Sequence, residues 1–158
     1  MQSQSYSIAD IESFASKFYQ GRALLLTPYG YNTTFTALAP STSQSTTVNI
    51  AANADFIVLG LHHRATGTTA TGQTVSSKTA PIVRILVTDS GSNEQFTNSA
   101  VDIENYSTNG NIINSLSYPR IVSGRSTLTV QVTNYDTTVT YATLDVFFEG
   151  VLVRAYSQ

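Results

Sequence analysis

The sequence predicts an all-β chain: an antiparallel β-sandwich or jelly roll of about seven to nine strands, with one short amphipathic helix at the N-terminus. Three observations predict it. Residues 126–153 carry two runs of period-two alternation, the mark of strands with one wet and one buried face. Clusters of Gly, Pro, Asn, Asp, Ser and Thr recur at the spacing of sandwich turns. The spacing of a helical face appears clearly in one place, near residue 8.

In that segment Ile8, Ile11, Phe14, Ala15 and Phe18 share one face. Ser7 is placed as N-cap, Asp10 completes a capping-box-like pair, and Gly21 is a stop. So short a helix needs a surface to dock on. Its own sandwich and a neighbouring subunit are both open as that surface. The chain divides into a helical arm, residues 1–21, and one sandwich domain, residues 22–158. A strand-length apolar run, Arg22-Ala23-Leu24-Leu25-Leu26-Thr27, precedes Pro28-Tyr29-Gly30-Tyr31. The latter reads as a turn whose rings lie on the domain, with a stacking platform as the alternative. Residues 41–47 read as a polar loop leading into Val48-Asn49-Ile50.

Residues 54–64 form the most apolar run, with Phe56 and Val58 assigned to one face and Ile57, Leu59 and Leu61 to the other. Such a strand is central or is covered on its outer face by the helix or a partner. Residues 65–80, rich in Thr and Ser, read as a long projecting loop. Pro81 opens a strand in which Val83, Ile85 and Val87 alternate with Arg84, Leu86 and Thr88, and residues 89–93 turn. Residues 100–103 and 118–122 read as strands, with Ile112, Ile113 and Leu116 as isolated apolar anchors. In residues 126–153, Leu128, Val130 and Val132 alternate in the first run, and Leu144, Val146 and Phe148 in the second. Asn134-Tyr135-Asp136 between them predicts antiparallel neighbours joined as a hairpin, with Gly150 interrupting the second run.

Charged residues are 11% of the chain against about a quarter in ordinary domains, and the net charge is −2. Eight scattered Lys and Arg argue against nucleic-acid binding. No apolar run is long enough to span a membrane as a helix, and the N-terminal segment lacks the features of a secretion signal. Zero cysteines exclude disulfides and thiol nucleophiles.

Chemistry-bearing patterns are sparse. His62 and His63, adjacent on a strand, point to opposite faces and cannot share a metal. Asp102 and Glu104 share a face if that segment is a strand, and two carboxylates there could serve a glycosidase or hold calcium. Solvated strand residues are the simpler reading. No nucleophile elbow or phosphate loop is present. The expectation is a protein that is not an enzyme, with no cofactor and no metal.

Two segments carry a resemblance. APIVRILVTDSGSNEQFTNSAVDI, from Ala80, and the region from YPRIVSGRSTLTVQVTNYD at Tyr118 to TLDVFFEGVLV ending at Val153 resemble the small β-sandwich virion structural proteins of tailed bacteriophages. The resemblance covers somewhat under half of the chain and carries no catalytic residues. It implies a capsid decoration or cement protein that binds the major capsid lattice, with a head–tail connector, neck or tail accessory protein as the alternative. The implied partners are the major capsid protein or other virion proteins, and copies of the chain itself, a trimer being favoured. The implied location is the virion, assembled in the host cytoplasm. The expected contacts are the helix face (Ile11, Phe14, Phe18), the Tyr29 and Tyr31 segment, and Thr68, Thr69 and Thr71 of the long loop. A carbohydrate-binding module is a reading from a different class, suited by Tyr and Asn in sandwich loops and weakened by the absence of Trp.

Overall fold

A computed structural model of the chain describes residues 6–67, 81–106 and 115–155. One helix, α1 (Ile8–Phe18), precedes β1 (Leu24–Leu38), β2 (Ser43–Asn49), β3 (Asp55–Gly67), β4 (Val83–Asp89), β5 (Glu94–Gln95) and β6 (Val101–Asp102). A 3-10 turn, Ile103–Asn105, then leads toward β7 (Ser115–Val122), β8 (Thr127–Asn134) and β9 (Tyr141–Ala155). One sheet runs in the order β1-β9-β3-β7; the other runs β2-β8-β4-β5, with β6 also on β4. From β1 to β4, and again from β6 to β9, each successive strand changes sheet. This is the jelly-roll arrangement of an antiparallel sandwich.

Alternation drives it. Val83, Ile85 and Val87 of β4 and Leu128, Val130 and Val132 of β8 face Phe56, Val58 and Leu61 of β3 and Leu144, Val146 and Phe148 of β9, all at most 1% exposed. Each such side chain contributes about 1.5–3 kcal/mol by leaving water. The predicted Leu61 orientation is corrected by a bulge. The β3 register shifts between Val58 and Gly60, so Leu61 returns to the core side with Phe56 and Val58. Gly150 sits opposite that bulge without ending β9, and a Cβ there would lie 2.0 Å from the Ile57 carbonyl oxygen.

The predicted hairpin of residues 126–153 is an arch instead: β8 pairs with β2 and β4, while β9 pairs with β1 and β3. The polar link carries its own hydrogen bonds across the gap between sheets. Asn134 is fully buried, and its amide nitrogen donates to the carbonyls of Leu38 (3.1 Å) and Val139 (2.9 Å). Its Oδ1 accepts from the Asp136 amide, and Asp136 Oδ1 accepts from the amides of Thr138 and Val139. These Asx turns redirect the chain toward the opposite sheet, where alternation alone cannot tell pairing from arching.

Two predicted non-strand segments are strand. Pro28-Tyr29-Gly30-Tyr31 lies inside β1, paired with β9 throughout, as proline can on an edge strand. Residues 43–47 belong to β2, because β8 supplies a ladder that Ser and Thr accept readily. Asp102 and Glu104 do not share a strand face, since Glu104 falls in the 3-10 turn.

The helix lies on the outer face of the β1-β9-β3-β7 sheet, with Ala15 buried among Ile57 and Val153, and Phe14, Leu24, Leu26, Leu59 and Ile121 around them. The capping box is present: the Asp10 amide donates to Ser7 Oγ and the Ser7 amide to an Asp10 carboxylate oxygen, both at 3.1 Å. The helix ends in a Schellman turn in which Gln20, not Gly21, takes the first left-handed position (φ 57°), with Gly21 following at 76°. Tyr19 then donates its hydroxyl to Asp55 at 2.6 Å, and Asp55 also accepts from the Gly124 amide at 2.8 Å. Burial, reinforced by Asp55, holds the Tyr19 phenol far above the usual tyrosine range.

Candidate interaction surface

Beyond the helix, no other described element covers the outer face of the same sheet, and the strand register lays it out in rows. The first is Gly30–Glu149–Gly60, the next Asn32–Phe147–His62, and the third Thr34–Asp145–Arg64. The tip of the Phe147 ring reaches over Gly30, where a Cβ would stand 2.1 Å from the ring's Cζ. The ring is 38% exposed. His62 lies beside it with ring centroids 6.4 Å apart and planes 27° apart. One His62 nitrogen meets a Glu149 oxygen at 2.7 Å, and Thr34 donates to Asp145 at 2.6 Å. The face is therefore an aromatic ring set among hydrogen-bonding groups, flattened by glycine on both sides of Glu149.

A second surface is the flank where β1 and β2 each end a sheet. Gln44 closes the corner between them, donating to the Thr36 carbonyl at 3.0 Å. From residue 23 to residue 54 the chain has no Asp, Glu, Lys, Arg or His. Edge strands normally carry charge, proline or a bulge against pairing with a foreign strand. On this flank Pro28 is such a device in β1, while β2 has neither proline nor charge. The opposite flank is charged: Arg120 of β7 reaches Glu94 of β5 at 3.0 Å and lies 4.5 Å over the Phe96 ring. There too His63, its side chain 6% exposed, meets Glu104 at 2.7 Å.

The two histidines take opposite faces, as adjacent strand residues must. Among the described residues no three His, Cys, Asp or Glu side chains gather as a metal site would require. A groove of about 470 Å³ lies between the 3-10 turn and β7, where Phe96, Tyr106 and Tyr118 surround Arg120. That guanidinium is already held by Glu94 and Phe96.

The residues singled out from sequence are scattered. Phe14 is half-buried against the sheet and meets Tyr118 edge-on at 5.4 Å; Ile11 is half-buried, while Phe18 is 57% exposed. Tyr31 packs edge-on to Phe56 and accepts the Ala51 amide with its hydroxyl, so it belongs to the core, while Tyr29 beside it is 48% exposed. Strand β3 runs on to Gly67, and Thr68, Thr69 and Thr71 lie outside the described residues, as do Ile112 and Ile113. Sequence reasoning missed the Phe147 face and, while it expected neutral Thr-rich edges, did not locate the uncharged flank on β1 and β2. The second was readable as a long stretch without charge; the first needed the register that brings Gly30 under Phe147. No family model matches the chain, and no curated protein or solved structure matches it significantly.

Proposed function

We propose that this chain is a non-enzymatic structural component of a tailed-phage virion, a jelly-roll module that docks on the capsid lattice or on copies of itself. The observation that carries the reading is the uncharged β1–β2 flank. Two adjoining edges without an ionic side chain, guarded by Pro28 in β1 alone, are poorly defended in a lone monomer and are suited to burial in an assembly. The low overall charge supports it, since weak mutual repulsion favours packing of many copies. The jelly roll adds a fold-level analogy, because viral capsid domains use that architecture. Docking of about 800 Å² per partner, repeated by symmetry, sums to large particle stability even where each contact is weak.

The test is light scattering of the purified chain at several concentrations, followed by co-sedimentation with capsids lacking it. The expected result is a concentration-independent trimer, or a monomer that sediments with the capsids. A larger ring assigns the chain to the neck or tail. A monomer that never sediments with particles overturns the reading.

A further inference from the structure

The open half of the outer sheet face has a use that differs from assembly. We propose that the Phe147 platform binds a neutral polysaccharide segment, with one pyranose ring stacked on Phe147.

The geometry of the ring comes first. The tip of the Phe147 ring rests over Gly30 while the residue stays 38% exposed, and Gly30 cannot carry a Cβ without displacing the ring by contact at 2.1 Å. An exposed phenyl ring held in place on a sheet offers the surface that the C–H face of a sugar covers. The His62 ring, 27° from parallel, extends that surface along the row. Its contact with Glu149 at 2.7 Å fixes the imidazole in place.

The surroundings select the occupant. Asn32, Glu149 and Asp145 border the ring and supply amide and carboxylate groups for sugar hydroxyls. A protein interface of ordinary kind depletes charged groups at its centre, whereas here charged rows flank a single ring. Asp145 and Glu149 outnumber the one guanidinium of these rows, Arg64, and disfavour uronic or sialic acids, so the class is neutral. The site is a flat face rather than a cleft, which suits an internal stretch of a chain passing across the strands instead of a terminal sugar.

Affinity electrophoresis tests it directly, with the full chain run through gels containing dextran, galactomannan or a neutral O-antigen polysaccharide, and alginate as the anionic control. The expected result is retardation in at least one neutral gel and none in alginate. Phe147→Ala should weaken that binding by about tenfold or more with an unchanged far-ultraviolet spectrum, and Phe147→Trp should keep or strengthen it. If Phe147→Ala does not fold, Phe147→Leu retains apolar volume without a flat ring and serves instead. Absence of retardation in every neutral gel, or retardation undiminished in a folded Phe147 variant, overturns the proposal. Failure here leaves the assembly reading standing, because Phe147 lies on β9, inside the sheet, and not on the uncharged edge.

Discussion

The two flanks of this sandwich solve the same problem by different means. At the β5–β7 flank, short strands, the Arg120–Glu94 pair and the His63–Glu104 contact fill the edge with charge and directional bonds. At the β1–β2 flank, the edges carry apolar, amide and hydroxyl side chains and no ionic one, and the corner is tied by Gln44 and by the buried Asn134 amide. The first flank is finished in a single chain. The second has hydrogen bonds that tie its corner but presents an outer edge with which no other described strand pairs. Under the proposed assembly role, this edge is the one that a partner covers.

The largest effect expected from breaking this contrast is on association. Ser45 and Thr47 are exposed on β2, so Ser45→Lys with Thr47→Lys places charge on the unprotected edge. Light scattering should then show loss of the oligomer or of capsid binding, with stability in urea changed by no more than about 0.5 kcal/mol. The same two lysines placed on the charged flank, at Asn98 and Ser99, should leave association intact.

Next comes the tie itself. Asn134→Ala strands the carbonyls of Leu38 and Val139 and removes the acceptor for the Asp136 amide. Urea unfolding should show a loss of about 1–3 kcal/mol, the range for leaving buried polar groups unpaired. On the other flank, Glu94→Gln should lose less than about 1 kcal/mol, because the Glu94 side chain is 70% exposed and surface pairs are screened. Equal losses at the two sites would erase the distinction between them.

The contrast also explains what was legible in the sequence. The alternating strands β4, β8 and β9 and the helix with its capping box followed from alternation, helical spacing and Ser7 with Asp10, because these depend on neighbours in the chain. The sheet to which each strand belongs did not. Residues 127–134 and 141–155 alternate equally well as a hairpin or as an arch, and the arch is set by Asn134 reaching Leu38, a partner 96 residues away. The turn assigned at Tyr29 and Tyr31 failed for a related reason: Pro and Gly signal a break locally, but an edge position tolerates the proline and Phe147 requires the glycine. The candidate surface was the least legible part, since its rows are built from three strands that only the register aligns.

The smallest expected effect is in acid, and it sharpens the comparison because the carboxylate involved belongs to the arch beside the uncharged flank. Asp136 accepts the amides of Thr138 and Val139, which hold its carboxyl below the usual value of 3.8. Asp10 is likewise lowered by the Ser7 hydroxyl and amide in the helix cap. A carboxyl whose folded value is depressed stabilises the fold fully above its unfolded value, and that contribution fades as pH falls through the folded value. Stability should therefore be level above about pH 5 and decline below about pH 4. In Asp136→Asn the side-chain oxygen still accepts but no longer titrates, so the decline should become shallower, and adding Asp10→Asn should flatten it further. Urea midpoints at pH values on both sides of this window decide the matter. A decline of unchanged steepness in the double variant would show that these two caps do not set the acid sensitivity, and would remove the arch as the part of the sandwich that yields first.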